Sequence, residues 1–467
     1  MFVPKIFNNE QKFAFVLGVL RSIIKNRRFI QISLVVLISS LLMVSSLEYY
    51  DIEKKNQEIR DLEMKSVPII NVTKHVNLSY NTVTTSYYQY EGNNMHQYDI
   101  NATPGNFSDK LNGMIIVDPS YSNGTFYVPL TNMSLCNGGL DAINSTTGNI
   151  IWNITFPNEV MTEPLIIGHE VVVGLGNNQF INPDIRGTGI NYLAAVNISN
   201  GSPIWQFGTC GEDMPTPVFH DGLIIEPTGG GVVYAINATS GNQVWSTCVG
   251  SFVSMSSPAI YNGTIYFGGA NPYNFYALNA STGKVLWDYC TNATGGLTDG
   301  SPVITDGQVI DGYTVELGNE TFQAFVISFN ASDGNVMWIT YEGIGIQPQS
   351  PPIEIPPLTA DDNLVFSEPT ALSKLFAINA TNGDILWDKY TGYDDSNPAI
   401  VNHDIVTVNL TGSLMVFNST GSLLLTYSTG VVFGAGTIVV MNGHLILFGT
   451  NGVFESLPYA RSSVVIR

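Results

Sequence analysis

All six tryptophans of this chain occupy the same place in a repeat. Trp152, Trp205, Trp245, Trp287, Trp338 and Trp387 each follow a glycine by four residues, and each of those glycines follows an asparagine by four. A seventh, shortened copy runs through Asn418, Gly421 and Leu425, with Leu where Trp stands elsewhere. Self-similarity at a period of about 45 residues is the mark of a propeller or solenoid, in which each unit buries its apolar face only against its neighbours.

The local code inside each unit is β. An alternating strand such as Val232 to Ile236 precedes the Asn frame and a second strand ending in Trp follows its Gly, a hairpin pattern. Upstream lies another hairpin, with turns at Asn123-Gly124, Asp221-Gly222, Asn262-Gly263, Asp306-Gly307 and Asn442-Gly443 and looser ones at Gly168-His169, Asp362-Asn363 and His403-Asp404. Asn-Gly and Asp-Gly suit two-residue turns because both central positions need positive φ. Eight upstream hairpins and seven Asn frames give seven four-stranded units plus one more, so eight blades are expected, with seven as the alternative. The last unit comprises 436–441, 444–448, 453–457 and a strand from 462–466 or from the leader at 67–111. One small residue two before each Asn (Ala142, Ala195, Ala235, Ala277, Ser328, Ala377) faces the Trp and makes it a packing element between sheets rather than a cofactor stack.

Charge divides the chain. Residues 1–28 hold six Lys/Arg against one acid, whereas residues 67–467 hold 8 basic and 31 acidic residues, a surface that nucleic acid would avoid. Between them, residues 29–47 form 19 uncharged, mostly apolar positions, close to the ~20 a helix needs to span a bilayer. Lys25, Arg27 and Arg28 on the N-terminal side orient such an anchor with a basic, cytoplasmic N-terminus at 1–28 and the remainder outside. A cleaved signal peptide ending near Ser45 is the alternative; the run exceeds the usual apolar core of ~7–15 residues. Residues 48–66 then read as a charged, solvated stalk.

Asn-x-Ser/Thr sequons bear on the same topology: there are 19, none before the anchor. Four lie in the leader, at Asn71, Asn77, Asn101 and Asn106. Ten fall in the short turns of one propeller face, at Asn123, Asn144, Asn197, Asn200, Asn237, Asn262, Asn279, Asn330, Asn379 and Asn418. The others are Asn132, Asn153, Asn292, Asn319 and Asn409. Their number favours a glycosylated exterior, although the repeat turn itself selects Asn. The opposite face receives the longer insertions at 176–192, 312–322 and 340–357, which makes it the place for a binding site. Cys136, Cys210, Cys248 and Cys290 also fall there, and an even count outside the membrane suggests disulfides whose pairing the sequence leaves open. No Cys-x-x-Cys-His haem motif occurs, and the six histidines lack metal-ligand spacing.

The run Ala235-Ile-Asn-Ala-Thr-Ser-Gly-Asn-Gln-Val-Trp245, echoed at 277–287 and 377–387, resembles the repeat of the pyrroloquinoline-quinone-like (PQQ-like) β-propellers, with Asn in place of that family's Asp. The resemblance covers residues 112–467 and implies an eight-bladed all-β propeller. The family includes quinone-dependent dehydrogenases and non-enzymatic assembly scaffolds, so fold alone does not choose. The residues before the Pro that opens each blade, Glu163, Thr216, Ser257, Ser301 and Asn397, should ring the channel. A calcium site for the quinone would draw on Glu163, Asn397 and Asp299 or Asp395. With every Trp committed to packing, no cofactor is expected. The favoured expectation is a membrane-anchored, glycosylated surface propeller, similar to archaeal cell-surface proteins, that binds a protein or glycan through its loop-rich face; the alternative is a calcium- and PQQ-dependent dehydrogenase.

Overall fold

The computed structural model describes residues 102–176, 190–346, 358–361, 363–436, 438–460 and 463–464. They form eight antiparallel sheets, seven of them wound from an inner strand a to an outer strand d in chain order. In the third sheet these are Val218–His220, Leu223–Pro227, Val232–Asn237 and Gln243–Cys248. The molecule is therefore an eight-bladed all-β propeller. In the eighth blade, Val439–Met441, His444–Phe448 and Val453–Ala460 supply strands a to c, and the outer strand is Ser108–Lys110, paired Ser108 to Glu455. Ser463–Val464 instead folds back on the end of strand c, at Tyr459 and Ala460. Among the described residues no helix is long and apolar enough to cross a membrane, and the candidate anchor and stalk at 29–66 lie outside them.

The repeat frame explains the seams between blades. Each Trp pairs across the sheet with its small partner: Ala142 with Trp152, Ala235 with Trp245, Ser328 with Trp338. Beyond that pair the register slips by one residue, a β-bulge that turns the preceding apolar side chain outward; Ile151, Val244 and Leu286 are about half exposed there. The indole N–H then reaches the next blade. Trp152 Nε1 donates to Ile198 O (3.1 Å), Trp205 to Ala238 O (2.8 Å), Trp245 to Ala280 O (3.1 Å), Trp287 to Ala331 O (3.2 Å), Trp338 to Ala380 O (3.0 Å) and Trp387 to Ser419 O (3.0 Å).

The frame glycine belongs to the same contact, seen from the following blade. Gly283 has φ +69°, and a Cβ there would lie 2.4 Å from Trp245 Cε3. Absence of a side chain thus meets two needs at once, the left-handed turn and the indole face. At the closing seam Phe107, just before Ser108–Lys110, takes the indole's place against Gly148 and stacks on Phe454 at 5.3 Å. At the seventh seam Leu425 packs against a buried cluster that includes Val416, Val431, Leu445 and Leu457, with no Trp in the seam.

Two expectations change. Residues 312–322 do not form a loop: Gln308–Gly318, Thr321–Asn330 and Val336–Ile346 are strands of 11, 10 and 11 residues, so the fifth blade projects as a long hairpin turned at Asn319-Glu320 (φ 52° and 58°). The seventh upstream turn is centred on Asn402-His403, both at positive φ, one residue before His403-Asp404. Residues 177–189 and 347–357, within the other two expected long loops, lie outside the described residues.

Candidate functional site

The described crossovers from an outer strand to the next inner strand pass the channel axis, and their last residues repeat a local plan. The residue before the blade-opening Pro is the one expected to ring the channel. It does, but as a hydrogen-bonded belt. Glu163 N–H donates to Thr216 Oγ1 (3.0 Å), Thr216 N–H to Ser257 Oγ (2.9 Å), Ser257 N–H to Ser301 Oγ (3.0 Å), and Leu358 N–H to Asn397 Oδ1 (3.0 Å). In each case a buried backbone N–H of one blade finds its acceptor on a side chain of a neighbouring blade. The polar side chains at this level are thereby committed to joining blades.

The residue two positions earlier faces the opening. In blades two, three and four it is Met161, Met214 and Met255, each three before Pro164, Pro217 and Pro258; in blades five and seven it is Asp299 and Asp395, three before Pro302 and Pro398. These five side chains line one small cavity of about 30 Å3 with Val117, Gly300, Ala435 and members of the belt. Met161 and Met214 are 2% exposed and cluster with Ile116 and Val117, with Met114, Met133, Met255 and Ala435 packed around them. The mouth of the channel is therefore a thioether arc facing a carboxyl arc. Burial pushes the Asp395 carboxyl up to about 6, partly offset by the Thr370 hydroxyl at 3.2 Å.

Behind this rim lie further buried acids. Thr407 Oγ1 contacts Glu368 Oε2 (2.6 Å) and Asp394 Oδ2 (3.3 Å); burial raises Glu368 to about 7, and burial and the nearby Glu368 charge hold Asp394 well above the usual carboxylate range. On the other side Asp213, bonded to the Thr209 hydroxyl, and Glu226 are both raised well above it, by burial first and then by like charge. Asp311 and Glu342, the latter at about 8, are raised by burial alone, which hydrogen bonds lower only in part. A carboxyl removed from water favours its neutral form.

Of the residues proposed for a calcium site, Asp299, Asp395 and Asn397 come together at the cavity, while Glu163 is buried beside it and is not part of its lining. Asn397 already gives its amide oxygen to Leu358. The methionines went unread as site residues, although the triple Met-x-x-Pro spacing was available in the sequence. The cysteines form no disulfide, contrary to the expectation from their even number. They sit on four successive blades, Cys136 in a middle connection and Cys210, Cys248 and Cys290 at or beyond outer strands, which diverge with radius, whereas a bridge needs Cα atoms within about 7 Å. Most frame asparagines close their own turns: Asn279 Oδ1 accepts from Thr282 N (3.0 Å) and Oγ1 (2.8 Å). Asn409 is 7% exposed and its Nδ2 donates to Thr391 O at 2.8 Å, which removes it from the candidate glycan sites. Asn71, Asn77 and Asn101 lie outside the described residues.

The family model described as outer membrane protein assembly factor BamB, built of PQQ-type repeats, matches residues 189–341 and 274–456. The chain belongs to this family. Tetrathionate hydrolase of Acidithiobacillus ferrooxidans is 30% identical over 288 residues, 58% of this chain and 56% of that protein. The chain thus spans about half the length of the curated relatives it matches. Among solved structures, BamB of Moraxella catarrhalis superimposes with a TM-score of 0.57 at 18% identity over 76% of this chain and 97% of that one. Quinohemoprotein alcohol dehydrogenase of Comamonas testosteroni also gives 0.57, at 13% identity over 80% of each chain. At these identities the structures establish the fold alone.

The fold family raises the question of a quinone, and the residues do not fit one. A single water needs roughly 10–15 Å3, so a cavity of about 30 Å3 takes no tricyclic quinone. Every Trp is held in a seam, and calcium, which takes about 6–8 oxygens, finds two carboxylates and an amide oxygen already in use. Among the described residues no group of three or more His, Cys, Asp or Glu could hold a metal.

Proposed function

We propose that this propeller hydrolyses a polythionate-type sulfur anion at the channel mouth, as the name of its tetrathionate-hydrolysing relative indicates for that protein. The observation that carries the reading is the pairing of a thioether arc with a carboxyl arc around one opening, within a chain 30% identical to that relative over 288 residues; the cavity of about 30 Å3 is smaller than the anion, which would lie across the rim with one end entering it. Thioethers are soft and polarisable and suit the sulfane sulfurs in the middle of such an anion. A neutral Asp395 carboxyl donates a hydrogen bond to a sulfonate, where a carboxylate would repel it. In the hydrolysis, water oxygen bonds to a terminal sulfonate sulfur and the sulfur–sulfur bond breaks. The bonding electron pair leaves with the sulfane sulfur, which takes a proton from Asp395; one proton of the water restores Asp395 and the other is released, so the products are sulfate and a disulfane monosulfonate, which sheds its outer sulfur and a second proton to give thiosulfate.

The test is direct. The full chain is incubated with tetrathionate at a pH well below the Asp395 value of about 6, and sulfate and thiosulfate are followed by ion chromatography. Asp395→Asn should lower kcat by about 100-fold or more, the usual contribution of a positioned acid. Wild-type activity should fall as pH rises through about 6, because the acid form is then lost. A folded wild-type chain without turnover sinks this reading.

A second reading, a binding scaffold, is favoured by the BamB match and by the fifth blade's outer strand. Along Val336–Ile346, Met337, Ile339, Tyr341, Ile344 and Ile346 are each about half exposed. Ile344→Lys with Ile346→Lys should then abolish capture of an envelope protein or glycan while leaving hydrolysis intact; unchanged capture counts against it. For either reading we place the propeller outside a cell membrane, anchored by 29–47 and carrying glycans on its short-turn face. The charge break and the 19 sequons support that placement, and peptide mapping that finds the sequons bare would remove the glycan half.

A further inference from the structure

We infer that Met161, Met214 and Met255 form a binding site for one soft monovalent cation, Cu(I) in chemical class. The inference concerns the same cavity as the hydrolytic reading, where cation and anion would compete for the three sulfurs, but it does not require turnover and its test reads binding alone. Three observations converge on it. The methionines hold one repeat position on three consecutive blades, so propeller symmetry turns them toward a common centre. They line the same cavity, and two are 2% exposed, which holds their sulfurs away from bulk water. The space of about 30 Å3 is that of an ion with one small ligand, since a water alone needs roughly 10–15 Å3.

Thioether sulfur is a ligand that selects Cu(I) over hard divalent ions. It carries no proton in its free state, so its affinity does not decline in acid, where carboxylate and imidazole ligands are lost to protonation. Asp299 and Asp395 complete the opposite wall and add oxygen at most, which leaves selectivity with the sulfurs.

The probe is Ag(I), which matches Cu(I) in softness and undergoes no redox change. The full chain carrying Cys136→Ser, Cys210→Ser, Cys248→Ser and Cys290→Ser, which removes competing thiols, is labelled with carbon-13 at its methionine methyls and titrated in acid. One equivalent of Ag(I) should shift the methyl signals of Met161, Met214 and Met255 and leave that of Met337, exposed on the fifth blade, unmoved. Changing the three to Leu, a swap that conserves volume, should weaken Ag(I) binding by more than the ~10–100-fold lost on altering a metal's outer shell. In the chain with its cysteines intact, the same three signals should move once the thiols are filled, which guards against a folding defect of the serine background. Static signals at those three methyls, or undiminished affinity in the triple Leu variant, would overturn the inference.

Discussion

The seam between blades is a contact between one indole and one glycine, and its energetics are local. Trp245 fills the gap opposite Ala235, donates to Ala280 O and lies on Gly283 of the next blade. Trp245→Ala should cost about 2–3 kcal/mol, at or below the low end of the range for emptying a large buried aromatic because Trp245 is only partly buried, measured by chemical denaturation. Gly283→Ala meets both a φ of +69° and an atom at 2.4 Å, so it should destabilise by more than the ~1 kcal/mol typical of a strained Gly position; a neutral result would contradict the seam. The Trp and its Ala were legible in the sequence because they pair within one hairpin. Their glycine partner was not, since it belongs to the next blade, at a chain distance that varies with the intervening insertion. The methionine arc was missed for a related reason: crossover residues were read as polar ligands for a hard ion, and belt bonding had already committed those oxygens.

Closure is decided by elements rather than residues. The first strand, Ser108–Lys110, completes the eighth blade, and Phe107 stands where the other seams have Trp. Joining the two ends of the propeller in one sheet makes opening of the ring require loss of that strand. Removal of 102–110 should therefore lower the unfolding midpoint and broaden the transition, seen by calorimetry, while a change confined to the fifth blade's edge should not. Ile344→Lys and Ile346→Lys are expected within about 0.5 kcal/mol of wild type, as for other exposed sites. The fifth blade's hairpin was mistaken for a loop because Gly312 and Gly318 bracket it. Alternation through Tyr313, Thr314, Val315 and Glu316 was the available strand signal, and the positive-φ Asn319-Glu320 pair sits at its tip.

Across the whole molecule the buried acids set a pH dependence. Asp213, Glu226, Asp311 and Asp394 are raised well above their ordinary values, Glu342 to about 8 and Glu368 to about 7. The folded protein therefore binds these protons more tightly than the unfolded chain does. Their contribution is complete below the ordinary values of 3.8 and 4.5 and is lost as pH climbs toward about 8. Thermal unfolding at constant ionic strength should show the highest midpoint in acid and a steady decline through that window. Glu342→Gln, which stays neutral, should flatten the upper part of the curve; a midpoint that rises with pH would refute the account. The scarcity of Lys and Arg beyond residue 66 fits the same design, since few positive charges are then left to repel in acid.

By itself the sequence determined the repeat, the strand pairs and turns within each unit, the eight blades and the assignment of all six tryptophans to packing. These depend on residues close in the chain, where spacing maps onto geometry. The tertiary structure alone decided which crossover position faces the channel, that the cysteines stand apart, that the first strand closes the last blade, and that thioethers confront carboxyls at the mouth. Those outcomes arise where separate segments converge on one axis: a spacing such as Met-x-x-Pro can mark an equivalent position in several blades, but which atoms meet there is set by the closed ring.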